Sequence, residues 1–206
     1  GKTSLLRLIA RLARPTAGEI RQFIDPSLGQ RRGSRAWFRR VGVVYQNPNC
    51  QLFMPTVVQE VAFAAKSEGF AREVMELFGI AHLSERHPHS LSEGQKRRVS
   101  IAAVAASRPE LLLLDEHTAA LDPKTADKVL ALSDQIVQEN NLTTLMITHN
   151  MKDAIAHGNR LIMMDAGRVV VDISGEDKKK LTVPDLLALF SRASGSDEAN
   201  DKMLLS

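Results

Sequence analysis

Apolar residues along the chain alternate between stretches with helical spacing and short continuous runs. In the helical stretches the apolar positions recur three and four residues apart, and Pro15 and Gly18 follow the first stretch, as expected where a helix stops. The predicted helices span 3–12, 57–83 with a break near 67–69, 90–106, 124–140 and 152–157. The predicted strands span 41–45, 111–114, 143–147, 161–164 and 168–173.

Strands that alternate with helices predict an α/β fold with a mainly parallel sheet. The uninterrupted apolar run Leu111–Leu114 is typical of a strand that is covered on both faces. Gly167 separates the last two predicted strands, which we expect to form a hairpin. Residues 191–206 are small and polar, so they are predicted to form a flexible tail.

Composition excludes several classes of protein. The 206 residues, 44% hydrophobic and 25% charged, suffice for one domain with a core, and no apolar run approaches the ~20 residues that span a bilayer. A net charge of +3 does not by itself indicate a nucleic-acid partner. The single cysteine, Cys50, excludes an internal disulfide and a cysteine-cluster metal site. Because the first residue is Gly1 rather than methionine, we expect a fragment of a longer chain.

The first four residues, Gly1-Lys2-Thr3-Ser4, open directly into the first predicted helix. They match the end of a phosphate-binding loop, G-x-x-x-x-G-K-[ST]. In such a loop, backbone N–H groups and a lysine face phosphate oxygens and a hydroxyl binds Mg²⁺. On its own the match is weak, because an exposed Lys-Thr pair at a frayed terminus has the same sequence.

Two adjacent carboxylates, Asp115 and Glu116, follow the four-leucine strand. In open α/β sheets, ligands collect at the carboxyl ends of the strands. An aspartate there can hold Mg²⁺, and a glutamate can polarise a water in line with a γ-phosphate. The alternative is a pair of solvated acids that starts a loop; the buried strand before them favours the functional interpretation.

The run LSEGQ at 91–95 lies at the start of the helix predicted over 90–106 and is followed by the basic residues KRR. Ser92 is of a helix N-cap type and Gly94 removes a side chain, so a hydroxyl and backbone N–H groups can face an anion. The alternative is an ordinary capped helix with an arginine-rich face.

In this order and spacing, the motifs resemble those of ABC-transporter ATPases over nearly the whole chain. The matches are the end of Walker A at 1–4, the Q-loop glutamine Gln46, the signature LSGGQ at 91–95, Walker B at 111–116, the D-loop at 121–122 and the switch histidine His149. Two residues depart from the family pattern. Glu93 replaces the first glycine of the signature and is expected to point outward, and His117 stands where the family usually has proline.

The resemblance implies ATP and Mg²⁺ as cofactors and assigns roles to the matching residues. The implied catalytic residues are Glu116 as general base, His149 at the γ-phosphate, and Gln46, which senses Mg²⁺ and the attacking water. The implied Mg²⁺ set is Thr3, Gln46 and Asp115. The implied nucleotide-binding set is Gly1, Lys2, Thr3, Ser4, Ser92, Gly94, Gln95 and Asp122. Within it, Ser92, Gly94 and Gln95 would act on ATP bound by an opposing subunit.

The resemblance also implies a P-loop NTPase (RecA-like) core over 1–47 and 107–190, with an α-helical subdomain at 48–106. The first strands and the Walker A glycines of such a core lie outside this sequence, so we expect an incomplete nucleotide pocket. Residues 46–57 resemble cobalt-type and energy-coupling-factor ATPases, whereas the chain from Leu111 onward resembles ATPases of tryptophan/tyrosine-type amino-acid importers. A natural mixture of features and a recombined chain both remain open.

These implications predict an ATP-hydrolysing subunit of an ABC importer, peripheral on the cytoplasmic face of the membrane. Its expected partners are a transmembrane permease subunit and a second ATP-binding subunit, as a homo- or heterodimer, and no nucleic acid. The permease would contact an apolar surface that includes Pro48, Leu52, Phe53 and Met54. Alternatively, these side chains fill the core of their own lobe.

Two further classes are considered. Soluble ABC ATPases of the DNA-repair type carry a long coiled coil between Q-loop and signature, for which the interval from Gln46 to Leu91 is too short. The ribosome-associated type carries two ATPase domains, which a chain of this length cannot hold. A non-catalytic fragment that keeps the fold but lacks an intact nucleotide site remains the alternative.

Overall fold

The computed structural model describes residues 1–20, 35–65, 67–119 and 121–194. The helices are α1 (Lys2–Ile9), α2 (Arg35–Arg40), α3 (Val57–Ala65), α4 (Glu68–Leu77), α5 (Glu93–Ala106), α6 (Pro123–Glu139), α7 (Met151–Ala156), α8 (Gly175–Lys179) and α9 (Val183–Ser194). The strands are β1 (Val41–Val44), β2 (Leu111–Asp115), β3 (Thr143–Ile147), β4 (Arg160–Asp165) and β5 (Arg168–Ser174). Short 3₁₀ helices cover Pro48–Cys50, Ala81–Leu83 and Pro88–Ser90. The chain divides into two compact units between Ile147 and Thr148.

The first unit is built on a parallel sheet with the strand order β1-β2-β3. Val44 of β1 lies opposite Leu114 of β2, and Leu114 lies opposite Met146 of β3. The carboxyl ends of the three strands therefore meet at one edge of the sheet. This topology agrees with the predicted α/β fold and with the ligand-binding edge that such a fold provides.

The central strand β2 is covered on both faces. Leu112 and Leu114 belong to a core that includes buried residues of α3, α4 and α5. Leu113 belongs to a separate cluster with Leu6 and Ala10 near α1. Because successive side chains of a strand point to opposite faces, a continuous leucine run is what two cores on either side of one strand require.

The second unit consists of the antiparallel hairpin β4–β5 together with α7, α8 and α9. Leu161, Val171 and Leu186 form its buried core. Gly167 provides the predicted turn, with a φ of 80° that L side chains rarely adopt. In none of the described ranges does a helix combine the length and apolar character needed to cross a membrane.

The α-helices α2, α8 and α9 lie outside the helices that the sequence pattern predicts. Helix α9 includes residues 191–194, so the prediction of a flexible tail from residue 191 is wrong for these four residues. Asp185 and Thr182 bond reciprocally at the start of this helix, and Leu186 and Phe190 are buried one turn apart. Residues 195–206 of the tail lie outside the described residues. The predicted helical subdomain at 48–106 stays a prediction.

Candidate functional site

Gln46, Asp115 and Glu116 lie together at the carboxyl edge of the parallel sheet. Gln46 follows β1 by two residues, Asp115 ends β2, and Glu116 comes next. Gln46 Nε2 donates a hydrogen bond to Glu116 Oε2 at 2.9 Å, although 70 positions separate the two residues. The register of β1 against β2 explains this contact, because residues that follow paired strand ends lie close together. Three residues of the predicted site therefore meet.

Asp115 has a buried carboxylate beside the start of α1. Its side chain is 2% exposed, and its Oδ1 has no hydrogen-bond partner among the described residues. Thr3, Tyr45 and Asp115 line the same small depression. A buried carboxylate oxygen is costly unless a cation or a hydrogen-bond donor meets it, and Mg²⁺ prefers oxygen ligands. Thr3 and Asp115 therefore fit the predicted magnesium ion.

The start of α1 has the form expected of a phosphate site. Gly1 is the N-cap and has no side chain, while Lys2, Thr3 and Ser4 form the first turn. The first N–H groups of a helix have no partner within the helix, and the helix dipole adds partial positive charge there. These N–H groups and the Lys2 ammonium can therefore face phosphate oxygens.

The backbone of Glu116 is left-handed, with a φ of 47°. This conformation costs a non-glycine residue roughly 1–2 kcal/mol. Two backbone hydrogen bonds hold it: Glu116 N–H donates to Ile147 O of β3 at 3.0 Å, and Ala119 N–H donates to Glu116 O at 2.9 Å. The chain thereby turns directly after β2 while the Glu116 carboxylate stays bonded to Gln46.

His117 is buried and anchors the loop that follows β2. It is 1% exposed, and its Nε2 lies 3.2 Å from Ser133 Oγ on α6. The Ser133 hydroxyl donates to Val129 O at 2.9 Å, so it accepts the hydrogen bond from His117 Nε2–H. A proline at position 117 has no side chain that could make this bond. Sequence reasoning recognised the departure at His117 but not its partner Ser133.

The signature residues have structural partners within this chain. Ser92 and Gln95 form a capping box at the start of α5: Ser92 N–H donates to Gln95 Oε1 at 3.0 Å, and Gln95 N–H donates to Ser92 Oγ at 3.4 Å. Glu93 pairs with Lys96 at 2.9 Å, and its side chain is 57% exposed, so it does point outward as expected.

Gly94 and Asp122 both contact the same residue, Thr125 of α6. A Cβ atom on Gly94 would lie only 2.7 Å from Thr125 Cγ2. Asp122 is the N-cap of α6, and its Oδ1 accepts from Thr125 N–H at 3.0 Å. The hydrogen bonds from Thr125 hold the pKa of Asp122 below its usual value. The starts of α5 and α6 are thus in direct contact.

The amino-acid sequence matches a known protein family. The family model described as ABC transporter matches residues 1–119, more than half of the chain. The chain belongs to the ABC transporter family.

Relatives in this family match over most of the chain. The energy-coupling factor transporter ATP-binding protein EcfA2 of Bacillus licheniformis is 40% identical over 180 residues, which are 82% of this chain and 62% of that protein. The tyrosine transport ATP-binding protein of Clostridioides difficile is 34% identical over 209 residues, 94% of this chain and 82% of that protein. The chain therefore spans about three-fifths of the length of the first relative and more of the second.

The solved structure of cbiO1 from Clostridium perfringens, part of the ABC transporter complex cbiONQ, has the same fold. It matches with a TM-score of 0.74 at 28% identity and covers 93% of this chain and 79% of that chain. The predicted family and the P-loop NTPase fold are confirmed. Both types of relative that the sequence resembles, energy-coupling-factor and tyrosine transport, are found.

The roles of the other predicted residues of this ABC family member stay predictions. His149 lies in the second unit and is exposed; the next residue, Asn150, caps α7 by accepting from the N–H groups of Lys152 and Asp153. Ser92, Gly94, Gln95 and Asp122 support the local structure described above, and their action on a partner's nucleotide stays a prediction.

Proposed function

We propose that the protein is the ATP-hydrolysing subunit of an ABC importer, bound peripherally to the cytoplasmic face of the membrane. The hydrogen bond from the Gln46 amide to the Glu116 carboxylate, beside the buried Asp115, is the observation that carries this proposal. This contact supports the proposal because Glu116, the proposed general base, directly follows Asp115, the proposed metal ligand, at the edge of the sheet where ligands collect in such folds. The relatives are ATP-binding proteins of transporters, which supports the same function.

Each residue of the site has a distinct task in this proposal. Thr3, Gln46 and Asp115 would hold Mg²⁺, whose positive charge offsets the negative charge of the phosphates. Lys2 and the first-turn N–H groups of α1 bind phosphate oxygens. Glu116 accepts a proton from the attacking water, and Gln46 fixes the orientation of the Glu116 carboxylate by donating to Oε2.

The variant Asp115→Asn tests the proposed role of Asp115 in binding Mg²⁺. The change keeps the shape of the side chain but removes the charge at the buried Oδ1, so Mg²⁺-dependent ATP binding by the full-length protein is expected to weaken about tenfold. Calorimetric titration of ATP with and without Mg²⁺ measures the effect. Asp127→Asn, at an exposed aspartate of α6, is the matched control and should bind as the unchanged protein does. If the unchanged protein itself binds no Mg-ATP, the non-catalytic alternative is correct.

Only part of the apolar surface that the sequence predicts is exposed in the structure. Pro48 and Leu52 are buried, so for these two residues the core alternative is correct. Phe53 is 64% exposed and Phe63 is 65% exposed, and their rings meet edge to face with centroids 5.4 Å apart. Such an exposed aromatic pair suits an apolar contact with another chain.

A buried glutamate holds this aromatic pair in place. Glu60 of α3 is 4% exposed, and its Oε2 accepts from the N–H groups of Phe53 and Met54 at 2.8 Å each. These two bonds fix the backbone of the loop that presents Phe53. The pair is therefore a preformed surface rather than two independent side chains, and we propose that the permease subunit covers it.

Replacing both rings, Phe53→Ala with Phe63→Ala, is expected to reduce co-purification with the transmembrane partner at least about fivefold, because two exposed aromatic side chains are lost from the contact. The ATP affinity of the separate subunit should stay unchanged, since neither ring touches the site. Leu77→Ala, at an exposed apolar residue of α4, serves as the control. Full retention of the partner by the double variant would place the permease elsewhere.

A further inference from the structure

Arg97 lies in the first half of α5 and is buried with its charge. The residue is 3% exposed, and burial lowers the pKa of its guanidinium below the usual value. Glu93 opposes that shift, but its carboxylate is more than half exposed and pairs with Lys96. An apolar side chain fits a buried position at lower electrostatic cost than a cation. The function of Arg97 must therefore lie in what its guanidinium contacts.

The guanidinium of Arg97 donates to two successive carbonyl oxygens directly after β1. Nη1 bonds to Tyr45 O at 2.5 Å, and Nη2 bonds to Gln46 O. These contacts join residues 52 and 51 positions apart in the chain. The planar guanidinium presents its donors in a rigid fork, so two bonds to adjacent carbonyls fix the position and the orientation of that peptide segment.

The same segment is held from another side by Gln51. Its Oε1 accepts from Tyr45 N–H at 2.9 Å, and its Nε2 donates to Val43 O at 2.6 Å. Of these two side chains, Arg97 is the one that bonds to the backbone of Gln46. Because the Gln46 amide reaches Glu116 at 2.9 Å, and a hydrogen bond weakens steeply with misalignment, a shift of about 1 Å in the Gln46 backbone suffices to break that contact.

We propose that Arg97 is a positioning residue that holds the Gln46 backbone so that the Gln46 amide orients the Glu116 carboxylate. The expected effect of Arg97 on kcat rests on the proposed ATP hydrolysis. The hydrogen bond between Arg97 and the Gln46 backbone does not. Arg97 touches neither nucleotide nor metal in this scheme. Its effect on turnover passes through Gln46.

The primary experiment compares Arg97→Met with Arg98→Met in the full-length protein. Methionine fills the buried space at position 97 without leaving an unpaired charge. Arg98 is the matched control, because it is the next residue of α5 and also donates to carbonyls, those of Phe78 and Gly79 at 3.4 Å, away from the site. R97M is expected to lower kcat about tenfold while its affinity for ATP without Mg²⁺ stays within about twofold, whereas R98M leaves kcat unchanged. An equal loss of kcat in both variants would overturn the proposal.

A second comparison separates positioning from a general effect on the fold. If Arg97 acts through Gln46, then R97M added to Q46A lowers kcat by less than about twofold further, because the contact it supports is already gone. Independent, multiplicative losses contradict the proposal. R97K keeps the cation but replaces the fork by a single ammonium, and it should fall between R97M and the unchanged protein.

Hydrogen exchange tests the contact without any reference to activity. In R97M the backbone amides of residues 43–47 and 49–51 are expected to exchange about tenfold faster than in the unchanged protein. In R98M they should not change. Unaltered exchange over 43–51 in R97M and R97K would overturn the proposal. Absence of ATP hydrolysis in the unchanged protein would instead overturn the proposed function, and the exchange result would still decide the role of Arg97.

Discussion

Glu116→Gln is expected to bind Mg-ATP as tightly as the unchanged protein and to hydrolyse it at least about a hundredfold more slowly. In the proposed function the Glu116 carboxylate accepts the proton of the attacking water, and general-base catalysis of this kind contributes roughly 10²–10⁴-fold. The amide of glutamine has the same shape, and its oxygen can still accept the hydrogen bond from Gln46 Nε2. The change leaves the proposed binding residues Lys2, Thr3 and Asp115 in place.

The measurement is steady-state phosphate release by the full-length protein, together with ATP affinity from calorimetry. Glu73→Gln, at an exposed glutamate of α4, is the control for loss of one negative charge and should keep the full rate. A Glu116→Gln rate within about threefold of the unchanged protein would falsify the assignment of Glu116 as general base. A parallel loss of ATP affinity would instead indicate that the side chain binds nucleotide or metal.

Local patterns in the sequence account for much of the fold. The strand at 143–147 is found as predicted, and β2 extends its predicted range by one residue, to Asp115. The first of these segments, TTLMI, is short and rich in β-branched and apolar residues, and the second is a continuous leucine run, so both patterns are typical of strands. Helix α9 was missed because its stabilising contacts, a cap at Thr182 and burial of Leu186 and Phe190, are weak signals beside a polar, small-residue tail.

In the candidate site, likewise, contacts between residues close in the chain could be predicted from the sequence, and contacts between distant residues could not. The capping box of Ser92 and Gln95 spans three positions, and its start at Ser92 is visible as an N-cap in the sequence. The bond between His117 and Ser133 joins residues 16 positions apart, and the bond from Arg97 to Tyr45 joins residues 52 apart. No short motif encodes such pairs, because they depend on how strands and helices come together.

The meeting of Gln46 and Glu116 is intermediate between these cases. The two residues are 70 positions apart, yet both follow strands of one parallel sheet. A general rule about the carboxyl edge of such sheets therefore anticipates their proximity. The rule does not anticipate which atoms bond, since that depends on the left-handed turn at Glu116 and on the backbone position of Gln46.

Gly94→Ala is expected to destabilise the first unit by about 1–2 kcal/mol, although alanine is ordinarily the better helix former. Gly94 is the second residue of α5, and a Cβ there would lie 2.7 Å from Thr125 Cγ2. Thr125 is β-branched, and it is hydrogen-bonded to Asp122, so its methyl group cannot rotate away at low cost. Forcing extra atoms into a well-packed contact typically costs about 1–3 kcal/mol. This cost exceeds the ~0.5–1 kcal/mol of helix stability that alanine gains over glycine.

The chain offers a matched control and a rescue for this prediction. Gly69 is likewise the second residue of a helix with a serine N-cap, but a Cβ there meets only Ser67 Oγ at 3.8 Å. Gly69→Ala should therefore raise the free energy of unfolding, by up to about 1 kcal/mol, while Gly94→Ala lowers it. Thr125→Ser removes Cγ2 and keeps the hydroxyl, so G94A with T125S should regain the stability that G94A loses. Urea unfolding measures all three variants, and a G94A protein as stable as G69A would show that α5 and α6 do not meet as closely as the structure places them.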